Sequence, residues 1–105
     1  MKIQVNTDSS VKGDQRLEEF VQDAIEQKLN RFRQHLSRVE VHIRDENSLK
    51  GGPDDKRCMI EARIKGLDPS AVDHKASTVE AAINGSVAKM QQALDRKIGK
   101  RKEHR

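Results

Sequence analysis

The sequence predicts an α+β fold of order β-α-β-β-β-α, a four-stranded sheet with two helices packed on one face. Three observations carry this prediction. From Val39 to Gly66 the chain alternates apolar and charged residues with period two on either side of a polar loop. Leu17 to Leu36 and Val79 to Ile98 each repeat apolar residues at steps of three and four. Only 33% of the residues are apolar against 36% charged. Every apolar stripe must therefore meet another, and laying both helices on a single sheet face is the simplest way to bury them all.

The elements follow in order. Met1 to Thr7 sets Ile3 and Val5 between Lys2, Gln4 and Asn6, a short strand. Asp8 to Gly13 reads as a turn, with Asp14 as N-cap of the first helix. Leu17, Val21, Ala24, Ile25, Leu29, Phe32 and Leu36 then line one helix running to about His35. Its acids (Glu18, Glu19, Asp23, Glu26) precede its bases (Lys28, Arg31, Arg33), an order that suits the helix macrodipole.

In the hairpin, Val39, Val41 and Ile43 alternate with Arg38, Glu40, His42 and Arg44. Cys58, Ile60, Ala62 and Ile64 alternate with Arg57, Met59, Glu61, Arg63 and Lys65. One face is therefore apolar and the other ionic. Asp45 to Asp55 forms the connecting loop, polar and without apolar anchors, and is expected to be mobile in the free protein and to tolerate shortening.

Gly66 to Ser70 makes the next turn, and in the strand Ala71 to Ala76 the residues Val72, His74 and Ala76 share a face. Ser77-Thr78-Val79-Glu80 has the spacing of a capping box with Ser77 as cap. The last helix buries Val79, Ile83, Val87, Met90, Leu94 and Ile98. Gly85 falls on its outward side, where close packing does not explain it. Gly99 is expected to cap the helix, giving a domain over 1–99 and a frayed basic tail over 100–105. Ile3, Val5, Val41, Ile43, Ile60 and Ile64 should share a core with Leu29, Phe32, Ile83, Val87, Met90 and Leu94.

Composition excludes several functions. No segment approaches the roughly 20 apolar residues of a membrane span, no apolar stretch follows Met1 as a leader, and the single Cys58 has no internal partner. These features suggest a reducing, cytoplasmic setting. Histidines 35, 42, 74 and 104 are not spaced as metal ligands, and Cys58 beside His74 would be a packed pair rather than a site. The acids Asp45, Glu46, Asp54 and Asp55 match no calcium loop. There is no glycine-rich phosphate loop or nucleophile elbow, so no enzyme, cofactor or small-molecule substrate is expected.

The net charge of +4 is unevenly spread. From Gly85 onward seven Lys and Arg face only Asp95 and Glu103. Lys89, Gln92, Arg96 and Lys100 fall on one line of the last helix, and Lys28, Arg31 and His35 form a shorter line on the first. Basic stripes of this kind suit an anionic polymer, though cations near helix ends also favour the macrodipole. Phe20 and Phe32 are both in core phase and there is no Tyr or Trp, so base-stacking recognition is disfavoured. Recognition of phosphate positions on structured RNA remains.

Taken in order, Ile3-Gln4-Val5, Lys28-Leu29-Asn30-Arg31-Phe32, Arg38-Val39-Glu40-Val41-His42, Ala81-Ala82-Ile83 and Val87-Ala88-Lys89-Met90 resemble the ribosome hibernation-promoting factor family. That family is also called ribosome-associated inhibitor, ribosomal subunit interface or sigma-54 modulation protein. The resemblance spans essentially all of the chain and matches the family's short form, although the hairpin loop is longer than is typical. It implies docking on the small ribosomal subunit and its RNA, occlusion of messenger and transfer RNA sites, and ribosome hibernation under stress or slow growth. It further implies RNA contacts by Lys28, Arg31, Lys89, Arg96, Lys97 and Lys100, and a monomer off the ribosome. Long members append a domain that pairs two ribosomes, and a chain ending after the last helix is expected not to pair them by that route. The alternatives are a general structured-RNA-binding module and a protein-interaction domain using the charged sheet face.

Overall fold

The computed structural model describes residues 1–46 and 56–103, with side chains described through 99. The elements are β1 (Lys2–Thr7), α1 (Gln15–Leu29), a 3-10 segment (Asn30–His35), β2 (Leu36–Asp45), β3 (Lys56–Ile64), β4 (Ser70–Ala76) and α2 (Val79–Glu103). The sheet runs β1-β2-β3-β4; β1 pairs parallel with β2, and β2/β3 and β3/β4 are antiparallel. This is the expected β-α-β-β-β-α architecture. The expectation for the hairpin loop lies, over 47–55, outside the described residues.

Period-two alternation places Val39, Val41, Ile43, Cys58, Ile60, Ala62 and Ile64 inward, all buried. Val21, Ile25 and Leu29 of α1, Phe32, and Ile83, Val87, Met90, Leu94 and Ile98 of α2 close over them. Ile3 and Val5 join this core while only partly buried, because β1 is an edge strand. At the start of β2 the register slips between Leu36 and Arg38, so that Leu36 and Val39 both point inward with two residues between them. Such a bulge resets the phase of the strand.

Three local expectations are corrected. The helix does not run unbroken to His35: α1 ends at Leu29 and a 3-10 segment follows. A three-residue repeat keeps Leu29 and Phe32 on one side, so the apolar stripe looks the same through either geometry. The cap of α2 is Thr78, not Ser77. The Thr78 carbonyl accepts from the Ala82 N–H at 3.0 Å, and its hydroxyl accepts from the Ala81 N–H at 3.1 Å. This puts Ala81 at the third helical position, and Glu80 is left as a first-turn acid suited to the helix dipole. Finally, Gly99 does not stop the helix, which continues to Glu103; among the described glycines only Gly66, in the β3–β4 turn, takes a positive φ, of 77°. Asp14 caps α1 as expected, accepting from the Leu17 N–H at 3.0 Å.

Gly85 also has a reason that was not visible in the sequence. A Cβ built there would lie 2.1 Å from His74 Cδ2 and 2.4 Å from Nε2. The half-buried imidazole rises from β4 directly beneath the helix backbone, and only glycine leaves room for it. At Gly99 a Cβ would meet nothing within 4 Å. Two glycines of one helix should therefore respond oppositely to alanine. Gly99→Ala is expected to stabilise by up to about 1 kcal/mol through helix propensity. Gly85→Ala is expected to destabilise by about 1–3 kcal/mol, overpacking outweighing the same propensity. Urea denaturation followed by circular dichroism reads both, and stabilisation by Gly85→Ala as well would show that His74 imposes no constraint.

Candidate nucleic-acid interface

The apolar stripe of α2 fixes its orientation: Ala82, Ile83, Ser86, Val87, Met90, Ala93, Leu94 and Ile98 are buried. Its cations are left outward. Lys89, Arg96 and Lys97 are all exposed, as are Lys28 in the last turn of α1 and Arg31 in the 3-10 segment. The backbone at Lys100 is helical, and its side chain lies beyond those described.

These residues divide by what they touch. Lys89 Nζ donates to the Asp73 carbonyl at 2.9 Å and Lys97 Nζ to the Pro69 carbonyl at 3.4 Å. Both ammonium groups thus lean over the edge strand β4 or the turn that enters it. Lysines in this position guard a sheet edge against pairing with another chain. Arg31 turns the other way, across to α2, where it forms an ion pair with Asp95. Its guanidinium also lies 4.5 Å from the centroid of the Phe32 ring. No carboxylate among the described residues pairs with Lys28, Arg96, Lys89 or Lys97. The five of the six predicted residues whose side chains are described therefore form a spread-out basic surface, not one cluster.

The opposite face of the sheet is just as charged but differently arranged. Strand register stacks most of its side chains in rows of like sign. Lys2, Arg38 and Arg63 stand abreast, as do Glu40 and Glu61, and Arg44, Arg57 and Lys75, while the row of His42, Met59 and Asp73 is mixed. Like charges directly opposite each other repel, and the acids resolve this by pairing with cations of neighbouring rows, along the strand or across it. Glu40 meets Arg38 at 3.4 Å and Arg63 at 3.9 Å. Glu46 meets Arg44 at 2.9 Å, Arg57 at 3.2 Å and Lys75 at 3.0 Å, so one carboxylate ties together cations of three strands. Hydrogen bonds from Lys75 and then Arg57 hold its pKa below the usual carboxylate value. Arg57 is shared with Asp73, whose hydrogen bond is the first cause of its raised pKa. Half of the acidic cluster read from the sequence is thus engaged in the sheet: Asp45 pairs with Lys56 at 3.3 Å.

Most cations of the sheet face share a smaller set of acids, whereas most described cations on the helical side have no acidic partner. Sequence reasoning identified the helical cations but missed Asp95 as a partner of Arg31, since 64 residues separate the two.

Cys58 and His74 are register partners on the inner face, Cys58 fully buried beside Ser86. Burial pushes its thiol up to about 11, the Ser86 hydroxyl acting weakly in the other direction. Among the described residues no group of three or more His, Cys, Asp or Glu could hold a metal ion, and no helix is long and apolar enough to cross a membrane.

The fold has solved counterparts. The N-terminal domain of Protein Y from Thermus thermophilus superposes with a TM-score of 0.74 at 18% identity, covering 91% of this chain and 98% of that one. A ribosomal subunit interface protein from Coxiella burnetii superposes with a TM-score of 0.70 at 19% identity, covering 91% and 96%. At these identities the likeness establishes the fold. No curated protein matches the chain. The model of the sigma 54 modulation protein / S30EA ribosomal protein family matches residues 3–102, nearly the whole of the structure just described. The chain belongs to that family.

Proposed function

We propose that this protein is a cytoplasmic ribosome-docking inhibitor of translation. It binds the small subunit through phosphates of ribosomal RNA, covers the messenger and transfer RNA sites, and holds the ribosome idle during stress or slow growth. The observation that carries this reading is the family match across residues 3–102. The charge distribution supports it and favours the helical face. Lys28, Arg31, Lys89, Arg96, Lys97 and Lys100 are the proposed contacts, because most described cations of the helical side have no carboxylate partner, whereas most of those on the sheet face are ion-paired. With both phenylalanines inside the fold or packed against its core, contacts to phosphates rather than stacked bases must supply the affinity.

Sedimentation of a stationary-phase lysate tests this. The protein is expected to co-migrate with small subunits or whole ribosomes. Release by RNase without ribosome association would instead identify a general structured-RNA binder. Migration free of both would leave a protein-interaction domain.

A further inference from the structure

Arg31 differs from the other cations of the helical surface. Among the described side chains there, it alone faces a carboxylate, that of Asp95. The pair is open to water, with side-chain exposures of 58% and 47%. Its contribution to holding the helices together is therefore small. Its geometry is nonetheless well defined, because the guanidinium is also seated on the Phe32 ring. Around it lies a cleft of about 150 Å³ lined by Arg31, Phe32, His35, Asp95, Ile98 and Gly99. Gly99 has open space above it, so backbone borders the cleft without a side chain in the way.

A guanidinium seated on an aromatic ring and in contact with an oxyanion, at the edge of an open cleft large enough for a phosphate group, is the arrangement of an occupied oxyanion site. Here the oxyanion is the chain's own. The geometry points to a phosphate subsite at the junction of the 3-10 segment and α2, filled in the free protein by the Asp95 carboxylate, which a phosphodiester of structured RNA displaces. In choosing RNA, this rests on the function proposed above. Asp95 then limits affinity in two ways. Its contact with Arg31 is given up on binding, and its charge remains beside the incoming phosphate. The residue is a built-in competitor that weakens the grip of a basic surface on phosphate in general.

Two measurements on the same variants test this. The first is elution from phosphocellulose with a salt gradient, all variants being checked for native circular dichroism. Asp95→Asn should elute at higher salt than wild type, and Arg31→Gln at lower salt. The double variant should elute with Arg31→Gln, because the two residues act as one unit. Elution of Asp95→Asn at or below wild type would overturn the proposal. So would a gain from Asp95→Asn that persists when Arg31 is already Gln, since that would reflect net charge alone.

The second measurement is pelleting with purified small ribosomal subunits, where Asp95→Asn should bind about fivefold more tightly, the scale of a surface ion pair. The phosphocellulose pattern without pelleting by wild type would keep the subsite and remove the ribosome. Pelleting by wild type without that pattern would keep the ribosome and remove the subsite.

Discussion

Reversing the charge at Lys89 and Arg96 together is expected to abolish inhibition of a cell-free translation system while leaving thermal stability nearly unchanged. Both side chains are exposed, and neither pairs with a carboxylate among the described residues. The one structural bond lost is that from Lys89 to the Asp73 carbonyl, at the protein surface. The effect on binding is far larger. If about five phosphates are neutralised, log affinity should fall with log salt at a slope of roughly −3 to −5, and removing two contacts should flatten it by about 1.5. Reversal at Arg44 and Arg63 is the matched control: both are exposed sheet residues, already paired with Glu46 and with Glu40 and Glu61. Those variants should retain most binding. If they lose it while the helical variants keep it, the docking face is the sheet. A binding constant insensitive to salt would remove the electrostatic mechanism altogether.

The largest effect on stability should come from Phe32→Ala, with a loss of about 3–5 kcal/mol. Phe32 is only 5% exposed and belongs to the core joining both helices to the sheet. It sits in a 3-10 segment whose poorer hydrogen bonding cannot hold it without side-chain packing. Against a total stability of about 5–15 kcal/mol, a loss of that size leaves a domain at the low end of the range with little stability and lowers the urea midpoint of any other. With neither Trp nor Tyr in the chain, far-ultraviolet circular dichroism in urea is the suitable measurement. A loss below about 1 kcal/mol would place Phe32 outside the core. The same substitution removes the ring beneath Arg31, so binding is best compared at a temperature where the variant remains folded.

The parts of the molecule legible in the sequence are those set by near neighbours along the chain. Alternation in β2 from Val39 onward and in β3 places the inward residues because a strand has a fixed period and one apolar face. The α2 stripe is equally plain from Ile83 to Ile98. Errors arose where two local geometries satisfy the same pattern. Leu29, Phe32 and Leu36 fit an α-helix as well as a 3-10 segment running into a strand. Ser77 and Thr78 are adjacent capping residues, and one residue of phase decides between them. What could not be read at all depends on contacts distant in sequence. Gly85 is explained only by His74 arriving from β4. Arg31 is a basic residue like its neighbours until α2 brings Asp95 against it. The rows of like charge on the sheet likewise require the register between strands.

The burial of Cys58 has a practical consequence. It is the only cysteine of the chain, it is fully buried, and it lies in β3, which has a neighbouring strand on each side. Alkylation proceeds through the thiolate, which burial disfavours, and the reagent cannot reach the sulfur until the sheet parts. Modification at neutral pH is thus a clock for sheet opening: under excess reagent its rate follows how often β3 is exposed. A mass shift on one residue would report, inside a crude extract and without any attached dye, how much a bound partner slows the opening of the domain.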